Sequence, residues 1–382
     1  MFAEFLSRAK WVIRAPGRVN LLGEHVDYND GCVLPAAIDR AVRLAVAPRP
    51  DRRVVLHAAD LNRTTAFDLD NLSARCDVEG HPLSSWALYP AGVAQALQKH
   101  GLAAVGMEAV YTSTVPVGAG LSSSAAVEMA FAAAWEALGG WQLDRITLAK
   151  IGQEAENRYV GVNSGLMDQF ASANGVEDHA LYFDTRSLDW RPVPLPPAAV
   201  IVVADTGVRR NLANSAYNDR RAACEEAVAG LQKFLPHIRA LRDVSPAEFE
   251  RYAGDLPEIP RRRAQHIVEE IARVEQAVTC LEHGDAAGFG RLMFAGHASL
   301  RDLYQVSCPE LDAMVETARD LPGCWGARLS GAGFGGCTVN LVAEEQAREF
   351  ICGLKSGYQE RTGRTAEVYL CRASRGVHLE GM

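Results

Sequence analysis

Four short segments hold most of the residues whose types and spacing suggest chemistry. The first is "APGRVNLLGEHVDYNDG", Ala15 to Gly31. It places Arg18, Asn20, Glu24, His25, Asp27 and Tyr28 within eleven residues, between the turn formers Pro16-Gly17 and Asn29-Asp30-Gly31. Carboxylates and an imidazole so close together offer directional partners to a polyhydroxylated ligand. They are equally able to ligate a metal. The second is "VPVGAGLSSSAA", Val115 to Ala126. Gly118 and Gly120 precede Leu121, the three serines Ser122, Ser123 and Ser124, and an alanine-rich run. A glycine turn opening a helix is an anion site, because free N–H groups and the helix dipole face the ligand. One serine hydroxyl could also reach a magnesium ion.

This second segment is not a G-x-x-x-x-G-K-[ST] loop, since it has no lysine. The chain has only Lys10, Lys99, Lys150, Lys233 and Lys355, none in a glycine-rich stretch. A cationic group for catalysis is therefore expected to be arginine or a metal. The third segment, "GVNSGLMDQFASANG", sets Asp168 in surroundings that are almost uncharged. Such an acid is expected to be partly buried, which is costly without a partner, and a nearby arginine would keep it ionised. The fourth, "LSGAGFGG", contains G-x-G-x-x-G, but the strand-like "CTVNLV" follows where a dinucleotide fingerprint needs a helix. It reads instead as a glycine-rich hairpin laid against another backbone or a ligand. Each segment also has a plainer reading, as a polar surface loop, an ordinary capped helix start or an internal ion pair. No G-x-S-x-G elbow and no H-x-x-x-H helix is present, so hydrolase and metalloprotease chemistry has no motif behind it.

These segments need elements to position them. "WVIRAPGRVN", "AVRLAVAPR", "RVVLHAAD" and "VGMEAVYTST" read as strands. "SSWALYPAGVAQALQKH" reads as a helix stopped by Gly101, and Ser122 to Leu138 as a helix with serine caps and a Gly139-Gly140 terminator. "ITLAKIGQEAENRYVG" is expected to be a single helix carrying Leu148, Ile151, Ala155 and Tyr159 on one face. A proline-rich connection near 175–200 suggests a domain boundary, and strand and helix groups come in blocks, which predicts an α+β fold.

The 382 residues are 48% hydrophobic with a net charge of −8, enough for a large core or two domains and too acidic for nucleic-acid or anionic-membrane binding. The nine cysteines are odd in number and lack C-x-x-C, which predicts free thiols. The N-terminus has no apolar signal core and no charge-free stretch is long enough to span a bilayer. A cytoplasmic protein, probed by neither membrane nor nucleic acid, is the expectation.

Together the segments resemble the GHMP kinases, and within them the galactokinases. "GRVNLLGEHVDYNDGCVLPAAI" is similar to the galactokinase signature, "VGAGLSSSAAVEMA" and "GARLSGAGFGGCTVNLV" to the second and third kinase motifs, and "GLMDQF" to the segment with the catalytic aspartate. "SAYNDRRAACEEAV" and "HASLRDLYQVSCPELDAMVETA" resemble C-terminal galactokinase segments. The resemblance implies a two-lobed GHMP kinase fold, with a ribosomal S5 domain 2-like lobe over 1–180 and a ferredoxin-like lobe over 181–382. It implies ATP-dependent phosphorylation of the anomeric hydroxyl of D-galactose by a monomer, or at most a weak homo-oligomer. Asp168 would be the catalytic carboxylate and Arg18 its cationic partner. Glu24, His25, Asp27, Gly165 and Tyr217 would bind the sugar. Gly118, Gly120, Leu121 and Ser122 to Ser124 would cradle the triphosphate, Ser124 and Glu156 would hold Mg²⁺, and Trp86 and Tyr89 would lie near the adenine. A related sugar (N-acetylgalactosamine, arabinose or a uronic acid) or an inactive ATP and sugar sensor are the alternatives. Val26 and Ser330 stand where threonine is usual, Ser164 where cysteine is frequent, and "VVADTGVRR" departs from the usual Asn/Thr-rich version.

Overall fold

The structure, a computed structural model, describes residues 1–209 and 213–381. Two long strands, Trp11–Asn20 and Pro35–Pro48, pair antiparallel at the heart of a six-stranded sheet. Their side chains are buried along most of their length, so both read as near-continuous apolar runs rather than as an alternation. Met107–Ser113, Arg53–Ala58 and Arg63–Asp68 extend the sheet on one side. Helices Ser85–Lys99, Ser123–Gly139, Arg145–Glu154 and Met167–Asn174 pack with it, and Phe131, Trp135 and Phe170 are fully buried between them. Gly140 has a left-handed backbone where Ser123–Gly139 stops, and Gly101 does so beyond Ser85–Lys99, as the glycine signals predict.

A second sheet of four antiparallel strands runs in the order Cys324–Ser330, Cys337–Ala343, Ala199–Asp205, Glu367–Cys371. Numbered along the chain this order is 2-3-1-4, the arrangement of a split β-α-β-β-α-β unit. The mixed lobes make the fold α+β, as expected. The division expected at 180 falls inside the strand His179–Asp184, which pairs with Cys32–Val33 and Trp190–Pro194 in a third sheet. The chain's last strand, His378–Leu379, then returns to pair with Trp11–Asn20, so the first sheet draws on both ends of the chain.

One expected helix is not continuous. Arg145–Glu154 is α-helical, but Ala155–Val160 forms a π turn before Gly161 ends it with a left-handed backbone. The wider turn moves Glu156 off the regular helical spacing, and such bulges occur frequently at functional sites. All nine cysteines are unpaired, as their number and spacing predict. Among the described residues, no helix is long and apolar enough to cross a membrane.

Candidate active site

The site starts with an irregularity in the strand Trp11–Asn20. Its register with Pro35–Pro48 shifts between Pro16 and Arg18. Gly17 sits at this shift, and a Cβ there would lie 2.7 Å from the carbonyl oxygen of Leu121. Only glycine allows the strand to press so close on the glycine-serine loop, and the bulge re-aims the next side chain. That side chain is Arg18, only 4% exposed. Its backbone N–H donates to Leu121 O (3.1 Å). Nη1 donates to Gly120 O (2.6 Å), and Nε and Nη2 both reach Asp168 Oδ1 at 2.8 Å. Ser122 donates its hydroxyl to the other oxygen, Oδ2. The lone acid of the third segment therefore has the arginine partner its surroundings demand. Ser122, expected as a helix cap, makes no capping hydrogen bond and serves Asp168 instead.

Arg18, Glu24, His25, Asp27, Glu156, Gly165, Asp168 and Tyr217 line one cleft of about 280 Å³, the size for a small ligand. Glu24 is buried, with Oε2 accepting from Asn20 Nδ2 (2.9 Å) and Oε1 from the backbone N–H of Gly331 (2.8 Å). Burial raises its pKa, and Arg328 and Arg18 pull it back. His25 is held by Tyr28 at Nδ1 (2.9 Å) and by Ala332 O at Nε2 (3.2 Å), and burial lowers its pKa to about 3, so its ring is neutral. Asp27 is pushed up to about 7, first by burial and then by the neighbouring charges of Asp168 and Glu24. A Cβ on Gly165 would come within 1.8 Å of Asp27 Oδ2, so any larger residue there would displace the Asp27 carboxylate. Tyr217 closes one side, its ring 5.5 Å from His25 and 5.3 Å from Tyr28.

The glycine-serine loop lies beside this cleft. Gly118, Gly120 and Ser122 all have left-handed backbone, which curls the loop into an N–H-lined concavity ahead of the helix Ser123–Gly139. The fourth segment presses on it from the other lobe: Cβ atoms on Gly331 and Gly336 would lie 3.3 Å from Gly120 O and Ala119 O. This is the hairpin against another backbone that the sequence predicts, and the strands Cys324–Ser330 and Cys337–Ala343 flank it. Arg209 also reaches over the loop. Its Nε is 3.1 Å from the point a Cβ on Gly118 would occupy, and Asp205 anchors its guanidinium at 2.6 Å. Arg209 thus lies beside the loop, with its guanidinium paired to both oxygens of Asp205.

Behind Asp168 is a buried acidic pair. Glu156 is 6% exposed and Glu128 is fully buried. Burial raises the pKa of both, and each senses Asp168 as a further like charge; the Ser124 hydroxyl is among the partners that oppose this at Glu156. One oxygen of Glu128 has no hydrogen-bond partner among the described residues. A buried carboxyl pair next to a hydroxyl and a phosphate loop fits a divalent cation of the magnesium type, which would favour the ionised form, takes one or two carboxylates and completes its shell with phosphate and water. Among the described residues, no group of three His, Cys, Asp or Glu forms an all-protein metal cage.

Residues 1–48 match the galactokinase galactose-binding signature, 89–176 the GHMP kinases N terminal domain and 277–359 the GHMP kinases C terminal domain. A galactokinase of Roseiflexus sp. (strain RS-1) is 49% identical over 366 residues, 96% of this chain and 92% of the relative. The chain belongs to the galactokinase family of the GHMP kinases. A galactokinase of Chloroflexus aggregans is 44% identical over the same shares of both chains. The crystal structure of Lactococcus lactis galactokinase complexed with galactose superposes with a TM-score of 0.91 at 34% identity, over 99% of this chain and 97% of that one. Methanococcus jannaschii mevalonate kinase, at 18% identity and a TM-score of 0.67, shares the fold.

Trp86 and Tyr89, expected near the adenine rather than the sugar, do not line this cleft. Trp86 is half-buried against the core with its ring 6.2 Å from Tyr111, and Tyr89, on the same helix, senses the charges of Glu156 and Glu128. Other residues at the site carried no role in the sequence reading. Tyr304 takes the Tyr28 hydroxyl at 2.6 Å and stacks near His25. Glu128 could have been found by the signal that exposed Asp168, an isolated acid in an apolar run.

Proposed function

We propose that this chain transfers the γ-phosphoryl group of ATP to the anomeric hydroxyl of D-galactose, giving galactose 1-phosphate. The observation that carries the reading is Arg18, which bridges the carbonyl of Gly120 in the phosphate loop and the carboxylate of Asp168 in the sugar cleft. The two reactants' sites are thereby held at one side chain. Phosphoryl transfer needs alignment and charge stabilisation more than covalent work, and this arrangement supplies alignment.

In this reading Glu24, neutral His25, Asp27 and Tyr217 hold and orient the sugar hydroxyls, and Gly165 leaves room for Asp27. The N–H groups around Gly118 and Gly120 and the serines Ser123 and Ser124 receive the triphosphate. Arg18 and Ser122 fix Asp168 through both oxygens, so the carboxylate points one way, at the attacking hydroxyl. Asp168 orients that hydroxyl and receives its proton late, as the bond to phosphorus forms and the hydroxyl becomes acidic. Ser124 and Glu156 are the residues that would hold Mg²⁺, which when bound neutralises charge on the phosphates.

A uronate is the sugar that this cleft opposes most. Its carboxylate would meet Glu24, Asp27, Glu156 and Asp168, with Arg18 already committed. The test is ATP consumption with galactose, N-acetylgalactosamine, arabinose and galacturonate, each with Mg²⁺ and with chelator. Galactose is expected to give the highest kcat/KM, and chelation to abolish turnover while galactose binding persists. Turnover of another sugar with none on galactose would overturn the reading.

A further inference from the structure

The carboxylate of Glu156 is held by two donors that act on the same oxygen. The Ser164 hydroxyl donates to Oε2. The side-chain amide of Gln169 donates to Oε2 as well, at 2.9 Å. Gln169 is fully buried, and its second N–H is spent on Glu128 Oε2 at 2.8 Å. Its own carbonyl oxygen has no partner among the described residues. The amide therefore cannot flip without turning that oxygen toward two buried carboxylates, so its two N–H groups stay fixed between them. Ser164 is fixed in turn: its backbone N–H donates to Asn157 Oδ1 at 3.0 Å.

We propose that Ser164 and Gln169 are positioning residues for the metal ligand Glu156, clamping its carboxylate through Oε2 and leaving Oε1 out of both contacts. The inference rests on the reading of Glu156 given above. A carboxylate on a side chain with several torsions swings unless it is held, and a π turn alone sets only the backbone. Partners that orient a metal-ligating carboxylate typically change metal affinity by about 10–100-fold when removed. Gln169 neighbours Asp168 on the first turn of Met167–Asn174, so one helix start places the cleft carboxylate and steadies the metal ligand behind it. A hydroxyl at position 164 is a far better donor to a carboxylate than a thiol would be.

The test uses the full chain and a readout other than turnover. Mn²⁺ replaces Mg²⁺, and its binding to the enzyme–ADP complex is followed by electron paramagnetic resonance. Galactose affinity is measured separately by calorimetry without nucleotide. Ser164→Ala and Gln169→Met are each expected to weaken Mn²⁺ binding about tenfold or more, with galactose affinity within twofold of the parent. Ser164→Thr, which keeps the hydroxyl, is expected to restore metal affinity, and Ser164→Cys to fall between. Should Gln169→Met fail to fold, the Ser164 series decides alone, since that side chain is on a half-exposed loop. Mn²⁺ binding that Glu156→Gln removes but the Ser164 and Gln169 variants leave intact overturns the clamp alone. Mn²⁺ binding unmoved by Glu156→Gln sinks both the clamp and the ligand assignment. An equal loss of metal and galactose affinity overturns the clamp in favour of general loosening.

Discussion

At the scale of single residues, the site sorts its acids by environment. Asp168 is tied to Arg18 and Ser122, Glu24 to Asn20 and Gly331, while Asp27 meets two like charges. Asp168→Asn is expected to lower kcat by about 10²–10⁴-fold, the usual worth of a positioned acid–base group, with galactose affinity changed only a few-fold. Single-turnover kinetics and calorimetry check the two halves. Asp27 gives the site its pH dependence, because His25, lowered to about 3, stays neutral throughout the working range. The folded pKa of Asp27, raised from 3.8 to about 7, means that the folded chain holds a proton the unfolded chain has released. Asp27's own contribution to the stability of the free protein therefore falls as pH rises from about 4 to 7, while His25 and His266, both lowered by burial, contribute in the opposite direction. Asp27→Asn removes that loss, so its melting temperature is expected to exceed the parent's by a few degrees at pH 8, with the gain shrinking towards pH 5. Galactose affinity moves oppositely: it rises through pH 7 in the parent, as the acceptor ionises, and stays low and flat in the variant.

At the scale of elements, irregularities do the positioning. The bulge at Gly17 turns Arg18 toward the loop, the π turn at Ala155–Val160 carries Glu156, and three left-handed residues shape the loop itself. The loop lacks a lysine, yet Arg209 lies over Gly118 on the anchor of Asp205. A charge-assisted contact to phosphate is worth about 1.5–3 kcal/mol. Arg209→Gln is therefore expected to raise the KM for ATP about tenfold or more and to leave the KM for galactose unchanged. The effect should be largest for ATP, smaller for ADP and absent for adenosine when affinities are compared. Equal losses across the three nucleotides would refute a phosphate contact.

At the scale of the whole molecule, the sugar loop is held by the other lobe. Glu270, on the helix Glu258–Glu282, accepts from the N–H of Gly23 (2.9 Å) and from Arg328 (2.8 Å), with Arg273 as a further partner. Burial alone would push Glu270 up, but Arg328 and Arg273 hold it well below the usual carboxylate range. His266 of the same helix reaches Glu24 O at 3.2 Å. Removing one partner of such a buried pair costs about 3–5 kcal/mol. Glu270→Gln is expected to lose stability of that order in chemical denaturation and to raise the KM for galactose more than that for ATP. The sequence by itself determined the local matters: strand and helix types, the glycine stops, Asp168 as an acid in need of an arginine, and the rejection of a dinucleotide loop. These follow from backbone propensity and from the cost of burying charge, which act over a few residues. The family resemblance then named the cleft residues, and the structure gathers Arg18, Glu24, His25, Asp27, Glu156, Gly165, Asp168 and Tyr217 around one space. Only the tertiary structure decided that Ser122 serves Asp168 rather than a cap, that Glu128 and Gln169 back Glu156, and that Trp86 packs on Tyr111. It also brought Glu270, Arg328 and Arg209 to loops far away in the chain. Such partnerships join residues from 13 apart, as for Glu156 and Gln169, to 307 apart, as for Leu21 and Arg328, and they exist only once the packed core brings the elements together.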